Sequence, residues 1–447
     1  MSRTNSRRTF IKTSSVLSAG YWVAGGVSPK ESRSALEEIR FACVGVGGKG
    51  SSDSADAEKS GRIVAICDVD DQTIAKCKEK EGFGDATVFN DYRKMFDEVG
   101  KSIDAVTVSI PDHSHAVVTA MALKMGKACY TQKPLTRTMY EARRMAELAA
   151  ENKVVTQMGN QGSANSGLRE AAAKIKAGCI GTVKEVHVWT NRPVWPQGIA
   201  RPEGQPVPAH IHWNEFIGPV EMREYNEAYH PFKWRGFWAF GTGALGDMAC
   251  HTLNMPFAGC DLVNPISVQA TTSGHNGETY PGNSKITFEF AATDARPALK
   301  FYWYDGGNKI DPEMLEGQER SKSGCLIVGD QGKLYSPDDY GAKYVLLGGT
   351  DKEVDFTTTP GHFREFATAI KDNNPDGTWS NFHKYAGKLT EVILLGNLAV
   401  WAAGEAKADG SNVESPKLEW DQANLKVKGT TAYDSMIKPV YRAGYEI

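Results

Sequence analysis

The stretch Arg40–Asp68, RFACVGVGGKGSSDSADAEKSGRIVAICD, constrains this chain more than any other. The apolar run Phe41–Val46 reads as a buried strand. Gly45, Gly47 and Gly50 follow as G-x-G-x-x-G, a polar, alanine-containing segment opens a helix, and a second apolar run, Ile63–Cys67, ends in Asp68. Gly45 permits a tight turn off the strand, Gly47 lets backbone approach a pyrophosphate, and Gly50 allows the helix to pack close to the strand; the helix N-terminus offers free N–H groups to phosphate. Asp68, about 20 residues on, suits hydrogen bonding to ribose hydroxyls, and its charge would oppose a 2′-phosphate. The unit predicts a dinucleotide site that takes NAD in preference to NADP. Glycine-rich turns are common on their own; the two flanking strands and the terminal Asp distinguish this one.

The pattern continues past Asp68. Helical segments at 72–80, 93–99, 116–125 and 138–152 alternate with strand-like runs at 103–110, 127–131 and 154–158. Such alternation predicts a parallel, doubly wound α/β sheet over residues 36–159, with ligands at the carboxyl ends of its strands. Pro111-Asp112-His113-Ser114-His115 and Gln132-Lys133-Pro134 follow two of those strands. Gly48, Pro111, His115, Lys133 and Asn160 join Gly45, Gly47, Gly50 and Asp68 as expected cofactor contacts.

After Asn160 the pattern changes. Strand-like runs at 183–191, 265–271, 284–291, 299–304 and 325–329, with shorter ones at 333–336 and 344–347, predict a second α/β domain over 160–447, built on a large, mostly antiparallel open sheet. Helices are expected at 168–177, 363–371 and 384–408. The segment Trp189–Trp238 is rich in Trp, Pro, His and Arg. Aromatic faces there would suit a carbohydrate, or the rings would simply fill a large irregular loop.

The chain has 447 residues, enough for two domains, and a formal net charge of −3, which gives no electrostatic case for nucleic acid. Ser6-Arg7-Arg8-Thr9-Phe10-Ile11-Lys12, followed by a weakly apolar stretch at 16–27, reads as a twin-arginine export signal over residues 1–35, against the alternative of a basic tail. Periplasmic localisation is expected, with the export machinery as a partner and retention as a membrane anchor left open. That route carries folded proteins, which suits a chain that acquires its dinucleotide in the cytoplasm. The eight cysteines contain no C-x-x-C pair and read mostly as core, with no metal site.

Two further signals carry chemistry. Lys133, followed by Pro134 at a strand end, is either a solvated lysine or one aimed into the cleft to assist deprotonation of a substrate hydroxyl. Asp247 and His251, in GALGDMACH, fall at i and i+4 on one face if helical, so the carboxylate could orient and activate the imidazole as general base; the alternative is a capping Asp and a core His. His113 and His115 are expected in packing or cofactor contacts. Asp53, Asp56 and Glu58 read as a solvated helix face.

Together, Gly45–Gly50, Asp68, Lys133-Pro134 and Asp247…His251 resemble the Gfo/Idh/MocA family over nearly the whole chain from about Ile39. The resemblance implies a Rossmann domain followed by an open-sheet α/β domain, and NAD(P)-dependent hydride transfer on sugars or polyols. It assigns His251 as general base, Lys133 as its assistant or proton relay, and Asp247 to substrate positioning. Gln132 departs from the family's E-K-P pattern. The resemblance also implies a homo-oligomer. Exported members that hold NAD tightly and cleave glycosidic bonds by transient oxidation supply an alternative activity, and a non-catalytic sugar-binding protein a third.

Overall fold

The computed structural model describes residues 38–294 and 296–447. The expected twin-arginine segment lies outside them. The first sheet alternates strand and helix as the apolar runs dictate: β1 (Ile39–Val44), α1 (Gly48–Ser60), β2 (Gly61–Cys67), α2 (Asp71–Lys78), β3 (Thr87–Phe89), α3 (Tyr92–Val99), β4 (Ala105–Val108), α4 (Asp112–Lys124), β5 (Ala128–Thr131), α5 (Met139–Asn152) and β6 (Thr156–Met158). Its six parallel strands run in the order β3-β2-β1-β4-β5-β6. Local chemistry fixes the helix starts: Asp70 and Asp91 cap α2 and α3, and Thr138 forms a capping box with Glu141 at α5.

The register decides where a ligand can lie. Val44 pairs with both Cys67 and Val108, Cys67 with Phe89, Val108 with Thr131, and Thr131 with Met158. All six strands therefore end level, and the residues after them form one row: Asn90, Asp68, Gly45, Ser109, Gln132 and Gly159. The crossover reverses between β1 and β4, which opens a crevice beside Gly45.

Beyond β6 come α6 (Ser166–Lys176), β7 (Val183–Trp189), α7 (Trp213–Ile217), α8 (Gly243–Thr252), α9 (Asn254–Cys260), β8 (Pro265–Thr272), β9 (Ser284–Phe290), β10 (Leu299–Asp305), β11 (Gly324–Gly329), β12 (Gly332–Ser336), β13 (Val345–Gly348), α10 (His362–Lys371), α11 (Gly387–Ala402), β14 (Val413–Glu414), β15 (Leu418–Asp421) and β16 (Lys426–Val427). The strands form a ten-stranded sheet in the order β13-β12-β11-β7-β10-β9-β8-β15-β16, with β14 on β8. Among the described residues, only the β7–β10 strand pair of this sheet is parallel. The all-round apolar helix α11 is buried against the sheet, and Gly396 marks the closest approach: a Cβ there would meet Leu245 of α8 at 2.6 Å and Phe288 of β9 at 2.7 Å. α8 is thus set by the second sheet.

α10 returns to the first sheet, where Phe363 and Phe366 pack on Phe41 and Tyr130. That layer is completed from within the 160–447 region. Three expectations change. α4 begins at Asp112 rather than at Ala116, because the residues after Pro111 enter the helix directly and Asp112 suits its first turn. α11 ends at Ala402, and a π-turn at 382–386 precedes it. The helix face around Asp53 is not solvated throughout: Asp53 is buried, because its carboxylate accepts hydrogen bonds from Lys49, Ser109 and Gln132.

Candidate active site

A cleft of about 810 Å³ runs along the row of strand ends. At its middle, Gly45 adopts a φ of +81°, and a Cβ there would meet the Ser109 carbonyl oxygen at 2.2 Å. Gly50 is equally tight: its Cβ would meet the Gly45 oxygen at 2.2 Å, which packs α1 on the turn. Gly47 and Gly48 divide the work expected of Gly47. A Cβ on Gly47 points at the Thr73 methyl of α2, 2.9 Å away, whereas Gly48, at φ +48°, would meet nothing within 4 Å and borders open space. The backbone cradle at the α1 N-terminus fits a pyrophosphate.

On the β2 side, Asp68 borders the cleft and accepts from the backbone N–H groups of Val46 (2.9 Å) and Asp70 (3.1 Å). Burial raises its pKa, and those hydrogen bonds oppose the rise. Each oxygen keeps a lone pair for a ribose hydroxyl.

On the β5 side, Lys133 Nζ donates to Asp247 Oδ1 at 2.8 Å and to the Asp247 carbonyl at 2.7 Å. The i, i+4 pairing of Asp247 with His251 does place both on α8, but the carboxylate turns to cations: Lys133, Arg235 Nε at 3.3 Å and Arg192 Nε at 3.9 Å. Burial would raise the Asp247 pKa; Lys133 and Arg235 outweigh it and hold it at about 2. No hydrogen bond joins Asp247 to His251 among the described residues, so the expected carboxylate-oriented imidazole is replaced by a carboxylate-held lysine. His251 borders the same cleft, edge-on to the Tyr340 ring at 4.9 Å, and its buried Nδ1 has no hydrogen-bond partner. Burial, then the Lys133 charge, push its pKa well below the ordinary value, so the ring is neutral at pH 7.

Two expected cofactor contacts lie elsewhere. His115 sits on the inner side of α4 with its ring nitrogens each 2.7 Å from a carbonyl, of Pro134 and of Ile110. Burial pushes its pKa down to about 4; it braces the two loops instead of facing the cleft. Asn160 is fully buried, with Nδ2 3.5 Å from the Cys250 carbonyl and Oδ1 unpartnered. It ties the β6 end to α8. Pro111 does border the cleft. His113 is likewise held on backbone, 2.7 Å from the Phe216 carbonyl.

The sequence matches a known family. The Gfo/Idh/MocA profile described as an oxidoreductase family with an NAD-binding Rossmann fold matches residues 39–160, and its C-terminal alpha/beta domain profile matches residues 177–372. This chain belongs to the Gfo/Idh/MocA oxidoreductases. It is 23% identical over 191 residues to levoglucosan dehydrogenase of Pseudarthrobacter phenanthrenivorans, a match covering 42% of this chain and 40% of that protein. It is 29% identical over 104 residues to scyllo-inositol 2-dehydrogenase (NAD(+)) of Bacillus subtilis, covering 23% and 28%. These matches span less than half of either relative's length. In fold it is similar to an inositol dehydrogenase homolog of Azotobacter vinelandii solved with NAD+, at a TM-score of 0.59 and 17% identity over 86% of this chain and 97% of that one.

Gln132, where the sequence resemblance implies a Glu, donates from Nε2 to Asp53 Oδ2 at 2.8 Å, where a second carboxylate would face the first. Asp112, at a strand end where ligands were expected, borders the cleft, and sequence reasoning missed Arg192 and Arg235, which line it too. Asp112 accepts from the Thr242 hydroxyl at 2.6 Å, and burial, tempered by that bond and by Arg235, raises its pKa to about 6. Arg235 lies over the rings of Trp234 at 4.3 Å and Phe232 at 5.0 Å. The aromatic segment is split: Trp195, Phe232 and Trp234 wall the cleft, whereas Trp189 and Trp213 are core and Trp238 stacks on Tyr280 at 3.6 Å. No periodicity separates these roles, because the segment is irregular.

Proposed function

We propose that this protein oxidises a carbinol carbon of a sugar, polyol or sugar derivative, using NAD held by Gly45, Gly48, the α1 N-terminus and Asp68. When bound, the nicotinamide supplies the hydride acceptor. The observation that carries the reading is the convergence of Lys133 and the unpartnered, neutral His251 on one cleft with the glycine turn. The His251 imidazole takes the substrate hydroxyl proton, and the Lys133 ammonium, held by Asp247, stabilises the developing alkoxide. Asp247 acts through Lys133 as a positioning residue. The hydroxyl-rich relatives, levoglucosan and inositol dehydrogenases, support the substrate class.

A redox-neutral glycoside cleavage on the same residues is the second reading, favoured by the aromatic wall of Trp195, Phe232 and Trp234. The test gives purified protein a panel of free sugars, cyclitols and glycosides, following reduced nicotinamide by fluorescence and released aglycone by chromatography. NADH formation that Lys133→Met and His251→Ala both abolish, in variants that stay folded, is the expected result. Aglycone release without net NADH would select the second reading, and wild-type turnover in both variants would overturn the site assignment.

A further inference from the structure

The level strand ends order the cleft. From the glycine turn at β1, the β4–β5 side leads to Lys133 and His251, and the β2–β3 side leads through Asp68 to Asn90, Asp91 and Tyr92. A ribose on Asp68 therefore directs the adenine toward the β3 end. One wall of that end comes from far along the chain. Tyr445 borders the cleft there while only 4% exposed. The Arg93 guanidinium lies 4.4 Å from the centroid of its ring and that of Arg442 4.9 Å away. Both cations are themselves fixed. Arg93 forks onto the Asp91 carboxylate at 2.8 and 3.0 Å, and Arg442 Nη2 donates to the Tyr445 hydroxyl at 3.1 Å and the Asn214 carbonyl at 3.0 Å. The segment that carries Tyr445 is anchored as well: the Tyr441 hydroxyl donates to Glu141 at 3.2 Å, and Arg442 N–H to the Pro219 carbonyl at 2.9 Å.

Tyr445 thus closes the β3 end of the cleft beside Asn90 and Tyr92, the end toward which the adenine is directed. We propose that Tyr445 forms the adenosine subsite of the NAD site together with Asn90 and Tyr92, so that residues 439–447 act as a strap over that half of the cofactor. The proposal rests on the NAD reading above. It gives the protein a means of slow cofactor release that is separate from the glycine turn, because the adenosine half leaves only when Tyr445 yields.

The test is titration of the full-length protein with NAD, ADP-ribose and reduced nicotinamide mononucleotide, for wild type and Tyr445→Ala. The variant should bind NAD and ADP-ribose about tenfold more weakly, the scale of one lost contact to the adenosine half, and should bind the mononucleotide as wild type does. Tyr445→Phe, which keeps the ring, should retain most of the affinity. Unchanged or tighter binding of ADP-ribose to Tyr445→Ala would overturn the proposal, the latter by showing that the ring fills the slot itself. Equal weakening of the mononucleotide would also overturn it. A second measurement needs no variant: ADP-ribose should slow hydrogen exchange at residues 439–447 of wild type, and exchange there that ignores the ligand refutes the strap. Wild type binding neither dinucleotide nor ADP-ribose would refute the cofactor assignment itself.

Discussion

Gln132→Glu restores the family's E-K-P sequence and should destabilise this protein. Gln132 and Asp53 are 5% and 1% exposed, and the amide donates to Asp53 Oδ2 at 2.8 Å. Two ionised carboxylates at that separation repel by about 6 kcal/mol at an effective dielectric constant near 20. A less costly outcome exists: the introduced carboxyl takes up a proton and donates to Asp53 much as the amide does. Holding a carboxyl of ordinary pKa ~4.3 protonated at pH 7 costs about 3.7 kcal/mol, so protonation wins and sets the ceiling. The sign follows. The introduced carboxyl has a raised pKa in the folded state, so the penalty is absent below about pH 4.3 and grows by about 1.4 kcal/mol per pH unit above it until the folded pKa is reached. Urea denaturation of wild type and Gln132→Glu between pH 4.5 and 8 measures this. Asp53→Asn combined with Gln132→Glu swaps the carboxylate across the contact and should recover most of the loss at pH 7. A difference that does not vary with pH, or a double variant no better than the single, would refute the reasoning.

Three other outcomes are expected. Asp68→Ala should weaken NAD binding about tenfold, measured by calorimetry, since it removes the ribose acceptor and the two bonds that order Val46 and Asp70; unchanged affinity would make Asp68 only a strand-end cap. Asp247→Asn should cost about 2 kcal/mol at pH 7, because the carboxyl is held at about 2 against an ordinary 3.8. That contribution is present above the ordinary value and lost as pH falls through the folded one, so the stability curves of variant and wild type should converge between pH 4 and 2; a gap that persists would argue against the ion-pair origin. Arg7→Lys combined with Arg8→Lys should retain the protein in the cytoplasm, read by fractionation, and unaltered export would remove the twin-arginine reading.

The sequence by itself determined the elements whose chemistry is local. The turn at Gly45, the strand runs around it, the Asp68 strand end and the i, i+4 relation of Asp247 to His251 all follow from residues within a few turns of one another. Side-chain period and glycine conformation act over that range, which is why these features were readable. The tertiary structure decided what each polar side chain touches. Asp247 meets Lys133, 114 positions away, only because α8 is set by the second sheet and delivered to the end of β5. Asp53, polar in a polar stretch, is buried because Gln132 and Ser109 arrive from β5 and β4 to satisfy it. His115 lies within α4, which begins four residues earlier than its apolar pattern suggested, and its ring meets the carbonyls of Pro134 and Ile110, residues brought together by the end of β5 and the turn after β4. Tyr445 carries no motif at all. Partner identity depends on register and packing between distant elements, and a hydrophobic pattern records that a residue faces inward without recording what it will face.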